Sequence, residues 1–169
     1  MDPVTLKIMK PELNPLFLKF EKIYRIEFPL YIRDMVFDDE NKLIDIQIDY
    51  HKKATFRCSC GLADQKVHSR IDRAWRALDI ANYQARLSLS VPRLKCQNCG
   101  VKTFQVPWAR EHSHLTHMME EMIYALSKII PLPTVAKLVV EKEQRILRVI
   151  NHFRNLENKS SLPLPEKML

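Results

Sequence analysis

The 169-residue sequence predicts an α+β fold on three observations. Apolar and polar residues alternate over 42–50, with Leu43 offset, and strictly over 84–91, the pattern of half-buried strands. After residue 115 the apolar period lengthens to that of helices and keeps that length to residue 155. Around the second strand lie two cysteine pairs, Cys58-Ser59-Cys60-Gly61 and Cys96-Gln97-Asn98-Cys99-Gly100. They hold all four cysteines and both glycines of the chain.

Residues 1–11 show no periodicity and read as loosely ordered. Over 13–26, Leu16, Phe17, Phe20, Ile23 and Tyr24 recur at helical spacing, giving an amphipathic helix with core-facing aromatics, closed by Pro29. Residues 31–37 read as a strand, and Asp38-Asp39-Glu40-Asn41 as a turn. Residues 42–50 then return with Ile44, Ile46 and Ile48 on one side and Asp45, Gln47 and Asp49 on the other, which predicts a hairpin. His51-Lys52-Lys53 turns the chain towards the first cysteine pair. Beyond it, Arg70, Arg73, Trp75 and Arg76 form a basic cluster around one aromatic, Trp75 packing against the module. The strand over 84–91, with Ala85, Leu87, Leu89 and Val91 on one side, ends at Pro92 and leads into the second pair. Residues 101–106 are a further short strand.

In the helical half, Thr116 is an N-cap, and an apolar face runs from Leu115 to Ile130. Pro131-Leu132-Pro133 breaks that helix and opens a second over 134–139. A third follows over 143–155, with Ile146, Leu147, Ile150 and Phe153 inward and Gln144, Arg145, Arg148, Asn151, His152 and Arg154 outward. A short second helix and a polar, basic third suit a helix-turn-helix whose last member enters the major groove. A plain three-helix bundle shares the pattern, and the turn has no glycine. Residues 157–169 read as a polar tail. The domain reading is 1–50, N-terminal helix and hairpin; 51–110, cysteine module; 111–156, helix-turn-helix; 157–169, tail.

The cysteine pairs point to metal. Two sulfurs facing one ion require a tight turn, and glycine takes the left-handed conformation such turns need. Four thiolates, Cys58, Cys60, Cys96 and Cys99, make a closed tetrahedral site for a structural Zn²⁺, so the module is zinc-ribbon-like and too small to be stable without its ion. Two disulfides, unliganded buried thiols and a redox dithiol at Cys96 and Cys99 are the other readings. The sequence lacks a mark of secretion for the first and a βαβ pattern for the last. Cys58-x-Cys60 is one residue shorter than the usual two-residue spacing, which makes His68 a reserve ligand.

Net charge is +7, unevenly spread. Residues 51–110 hold twelve Lys or Arg against three Asp, a net +9, and the rest of the chain is −2. Such a concentration favours phosphate backbones through counterion release. No apolar run approaches the ~20 residues of a membrane span, and Met1-Asp2-Pro3-Val4-Thr5-Leu6-Lys7 has no apolar signal region. The expectation is a cytoplasmic protein with reduced thiols and no membrane partner.

Val67-His68-Ser69-Arg70, Arg73-Ala74-Trp75-Arg76-Ala77-Leu78-Asp79, Val91-Pro92-Arg93 and Val106-Pro107-Trp108-Ala109-Arg110 form a recognisable set. Over residues 30–155 the chain resembles the N-terminal half of the ISL-three type of bacterial insertion-sequence transposases. The resemblance implies a small αβ segment, a zinc ribbon and a helix-turn-helix that bind the terminal inverted repeats of a mobile element. It makes the four cysteines the metal ligands and places Arg145 and Arg148 on the recognition helix. In that family a catalytic domain with an acidic triad follows, and this chain ends where it would begin. The reading is therefore a truncated or stand-alone N-terminal region.

Strand transfer needs three carboxylates holding two Mg²⁺ ions, and the acids here lie mostly on one hairpin and on helix surfaces. No Ser/His/Asp order, glycine-rich phosphate loop or HExxH is present. The expectation is no enzyme and no catalytic residue. The leading function is sequence-specific binding of double-stranded DNA, with Arg70, Arg73, Arg76 and Arg93 on phosphates and Gln144, Arg145 and Arg148 on base edges. A second copy or a full-length transposase is the expected protein partner. The alternatives are a zinc-stabilised protein-interaction module, whose methionine-rich helix would meet the partner, and a small transcriptional regulator.

Overall fold

Asn14 opens the first helix of the computed structural model, which describes residues 14–160. Its side chain accepts from the Leu16 N–H at 2.9 Å, and Pro15 sits at the first position, where no donor is needed. This helix, α1 (Pro15–Tyr24), closes with Arg25 left-handed at φ 55° and the Ile26 N–H donating to the Glu21 carbonyl at 2.8 Å. Phe17, Phe20 and Tyr24 pack on the core, but Leu16 and Ile23 are exposed, so the apolar face is narrower than the sequence spacing suggests. Residue 13 and the stretch 1–11 lie outside the described residues.

Five strands form one sheet: β1 (Leu30–Asp38), β2 (Leu43–Tyr50), β3 (Val67–Arg76), β4 (Gln84–Cys96) and β5 (Gly100–Thr103). The order is β1-β2-β4-β3, with β5 added to β4. The β1–β2 hairpin is antiparallel, and its turn is held by the Asn41 N–H donating to the Asp38 carboxylate at 2.9 Å. A bulge falls between Ile32 and Asp34, where the Glu21 carboxylate of α1 takes the Ile32 N–H at 2.8 Å. The predicted alternation is realised: Ile44, Ile46 and Ile48 of β2 and Ala85, Leu87, Leu89 and Val91 of β4 are all buried.

The hairpin is not a separate layer. β2 runs parallel to β4, pairing Ile46 with Leu87, while β3 runs antiparallel along the other edge of β4 and pairs Trp75 with Leu87. Sequence alternation missed β3 because polarity does not follow its faces: the half-buried side carries Ser69 and Arg73, and the exposed side carries Ala74. The hairpin and the cysteine-bearing strands therefore share one core. It runs from Tyr24 through Ile32, Ile46, Trp75, Leu87 and Val106 to Trp108. Trp75 meets Trp108 edge to face at 5.5 Å, in the interior that its packing role predicted. The cysteine-bearing strands, read from sequence as a small module of their own, are thus part of a larger sheet and core.

Contacts divide the chain into two units, Met1–His117 and Met118–Leu169. The helices of the second half are α2 (His117–Ser127), α3 (Leu132–Val139) and α4 (Glu143–Ser160). α2 stops three residues short of the predicted Ile130. α4 continues through 157–160, residues read from sequence as the start of the tail, while 161–169 lie outside the described residues. Ile146, Val149 and Ile150 are the buried stripe of α4. Leu147, expected inside, is 46% exposed. Tyr124 stacks on Phe153 at 4.8 Å and donates to Glu157 at 2.6 Å, and Lys128 binds the same carboxylate at 2.9 Å, which ties α2 to α4.

Between α3 and α4 only residues 140–142 intervene. The Glu141 N–H donates to the Ala136 carbonyl at 3.0 Å and the Val140 N–H to the Lys137 carbonyl at 3.4 Å. This is the bond pair of a Schellman cap, with Val140 left-handed (φ 55°, ψ 48°) where glycine is usual. A turn without glycine is therefore made at the expense of strain in a β-branched residue. No described helix is long and apolar enough to cross a membrane.

Candidate metal centre

The first cysteine pair sits in a small antiparallel excursion. Phe56 and Gln65 exchange backbone bonds of 3.1 and 2.9 Å, and the Cys58 N–H donates to the Leu62 carbonyl at 2.8 Å. The chain reverses in between because the Gly61 N–H donates to the Cys58 carbonyl at 2.9 Å, with Gly61 at φ 92°. The second pair closes the β4–β5 hairpin, where Cys96 faces Gly100 at φ 72°. A side chain built at either glycine meets nothing within 4 Å, so backbone conformation and not space selects glycine at both turns.

These two turns bring the Sγ atoms of Cys58, Cys60, Cys96 and Cys99 within 4.8 Å of one another. Cys60 and Cys96 are 3.6 Å apart. A tetrahedron with zinc–sulfur bonds of about 2.3 Å has sulfurs about 3.8 Å apart, so the spacing fits the ion. All four are free thiols, not disulfides. The one-residue spacing of the first pair leaves Cys58 buried and Cys60 exposed, yet both sulfurs converge. His68, the reserve ligand, stands apart, its Nδ1 3.3 Å from the Ser69 hydroxyl. Among the described residues this is the one group of three or more His, Cys, Asp or Glu side chains gathered to hold an ion.

The thiols titrate against one another. The Cys60 N–H pulls the Cys58 thiol down to about 7, whereas the neighbouring Cys60 sulfur, with burial, pushes Cys99 up to about 12. Four thiolates at this separation repel strongly, and a dication removes that repulsion. The ion supplies cross-linking of two turns and no open coordination position for chemistry.

The arginines assigned to phosphates from sequence lie in different settings. Arg93 is exposed, and its side chain makes no hydrogen bond or ion pair among the described residues. Arg73 is half-buried and likewise without an ion-pair partner there. Arg70 is exposed and directs its Nε at the Tyr50 hydroxyl, its guanidinium 5.5 Å from that ring. Arg76 is committed internally: its side chain is 10% exposed and donates to the Ala77 and Ala85 carbonyls and to Asp79. Arg73 also borders a cleft of about 550 Å³ whose rim includes Ser59 of the first knuckle, Lys102 and Arg110. The strand read from sequence over 101–106 is realised only as Gly100–Thr103, and Lys102 on it went unnoticed because nothing in the strand pattern marks which lysine borders the cleft.

The outer face of the sheet, by contrast, is balanced by acids. Arg33 faces Asp49, Arg86 meets Asp45 at 3.1 Å, and the Ser90 hydroxyl donates to Asp72. On α4, Gln144 and Arg148 are exposed and unpartnered among the described residues, whereas Arg145 is held by Glu141 at 2.6 Å.

Neither curated proteins nor solved structures match the chain. Residues 55–99 match the family model described as the zinc-finger of transposase IS204/IS1001/IS1096/IS1165, a segment that contains all four cysteines. The chain thus carries a transposase-type zinc ribbon, and its four converging sulfurs form a structural Zn²⁺ site.

Proposed function

We propose that this chain binds double-stranded DNA sequence-specifically, as the end-recognition region of an insertion-sequence transposase whose targets are terminal inverted repeats. The observation that carries the reading is the match of residues 55–99 to a transposase zinc finger, with its four sulfurs assembled. The +9 charge of residues 51–110 supports it, as do the unpaired Arg73, Arg93 and Lys102. These three, together with Arg70, contact phosphates and fix register, while Arg76 holds the end of β3 in place.

In the second unit, α2, α3 and α4 act as a helix-turn-helix, α3 and α4 being joined by three residues with a left-handed first member. α4 presents Gln144 and Arg148 to base edges. Arg145, tethered to Glu141, stabilises the turn.

The test is fluorescence anisotropy of the zinc-loaded chain on duplexes selected from a random library. The reading requires recovery of a defined sequence and a log–log salt slope of roughly −4 from four phosphate contacts. Binding that ignores both sequence and salt refutes it and favours the protein-interaction module.

A further inference from the structure

Leu147 fits the apolar spacing of α4 but not its buried stripe. The core takes Ile146, Val149 and Ile150, and leaves Leu147 46% exposed. Positions 144, 147, 148 and 151 share one face of a helix by their three- and four-residue separations, so Leu147 stands among exposed Gln144, Arg148 and Asn151. Between Glu143 and Glu157 the helix carries no acid, and with Arg145 held by Glu141 its cations without an ion pair among the described residues are Arg148 and Arg154. That surface is complementary to a polyanion. An isobutyl group at its centre offers phosphates nothing. The major groove does present one apolar feature to such a side chain, the 5-methyl group of thymine.

We propose that Leu147 is a specificity-determining residue that packs against a thymine methyl, between the base pairs addressed by Gln144 and Arg148. The assignment rests on α4 being the groove-reading helix. It adds a hydrophobic discrimination that hydrogen-bonding side chains cannot make, because uracil and thymine present the same O4 acceptor.

The experiment uses the full zinc-loaded chain and its selected duplex, with each thymine replaced in turn by uracil. The expected result is one position at which loss of the methyl weakens binding about fourfold, the value of one buried methyl-sized group. Leu147→Ala should bind the thymine and uracil duplexes equally. Since the uracil series is read on the unaltered protein, the result does not depend on the variant folding. A selected site in which no thymine is sensitive overturns the proposal, and so does a sensitivity that persists in Leu147→Ala. In both cases the loss of sequence preference in Arg148→Ala keeps the helix reading intact. If Arg148→Ala and Gln144→Ala leave preference and affinity unchanged, the helix reading fails and Leu147 fails with it.

Discussion

Removal of zinc should unravel the two knuckles and leave the sheet standing. The structure supplies the reason. The segments 57–64 and 97–103 carry one buried side chain between them, Cys58, and every residue of β5 is exposed. Ordering these roughly fifteen residues costs at least ~1 kcal/mol each in backbone entropy, about 15 kcal/mol. Structural zinc contributes about 10–16 kcal/mol in small metal-folded peptides, which is comparable. Without the ion only a few backbone hydrogen bonds, worth about 0.5–1.5 kcal/mol each, offset that cost. β1 to β4, however, bury Ile32, Ile44, Ile46, Trp75, Leu87 and Leu89 in a core that has no ligand in it. Hydrogen exchange read by mass spectrometry, with and without a strong chelator, measures both halves of the claim. Amides of 57–64 and 97–103 should exchange at once in chelator, while those of β2 and of residues 84–92 stay protected. Exchange of all five strands together would show that the ion holds the whole sheet. Knuckles that stay protected without metal would show that the sulfurs converge for another reason.

Two arginines three residues apart should behave oppositely. Arg76→Ala removes hydrogen bonds to two carbonyls and an ion pair from a side chain 10% exposed, and should cost about 2–4 kcal/mol in urea unfolding. Arg73→Ala should leave stability within ~0.5 kcal/mol but weaken DNA binding and reduce the salt slope by about one. The Tyr124 and Lys128 hydrogen bonds hold the Glu157 carboxyl below its usual 4.5, so the stabilisation is complete above that value and lost as pH falls through the lower folded one. Thermal melts between pH 6 and pH 3 should show the second unit loosening in that window, and Glu157→Gln should be flat across it. Val140→Gly or Val140→Asn relieves a left-handed β-branched residue that is 65% exposed, and should raise stability by about 0.5–1 kcal/mol in the same melts.

How far residue patterns reached is clearest from particular segments. The four ligands were legible because metal chemistry fixes residue type and spacing, and both glycines reported the turns that deliver the sulfurs. Ile44, Ile46 and Ile48 were legible because one face of their strand is buried along its whole length. β3 was not, since Ser69 and Arg73 stand on its half-buried side, and only the pairing with β4 shows the strand. The parallel union of β2 with β4 could not be read either, as nothing local records a partner some forty residues away. Arg76 looked like its neighbours Arg70 and Arg73, and only the Ala77 and Ala85 carbonyls distinguish it. Leu147 kept a helical apolar spacing that three neighbouring residues already satisfied.

The adjacency of β2 and β4 sets a schedule for the emerging chain. When Leu43–Tyr50 leaves the ribosome, its isoleucine row has β1 beside it along one edge and nothing yet along the other. The missing neighbour is synthesised only after the first knuckle and β3, so translation must run past residue 89 before that row can be covered. At ~5–20 residues per second the wait lasts a few seconds. For that interval the nascent protein carries a bare, aggregation-prone strand, which makes slow codons between residues 50 and 90 a hazard to its yield.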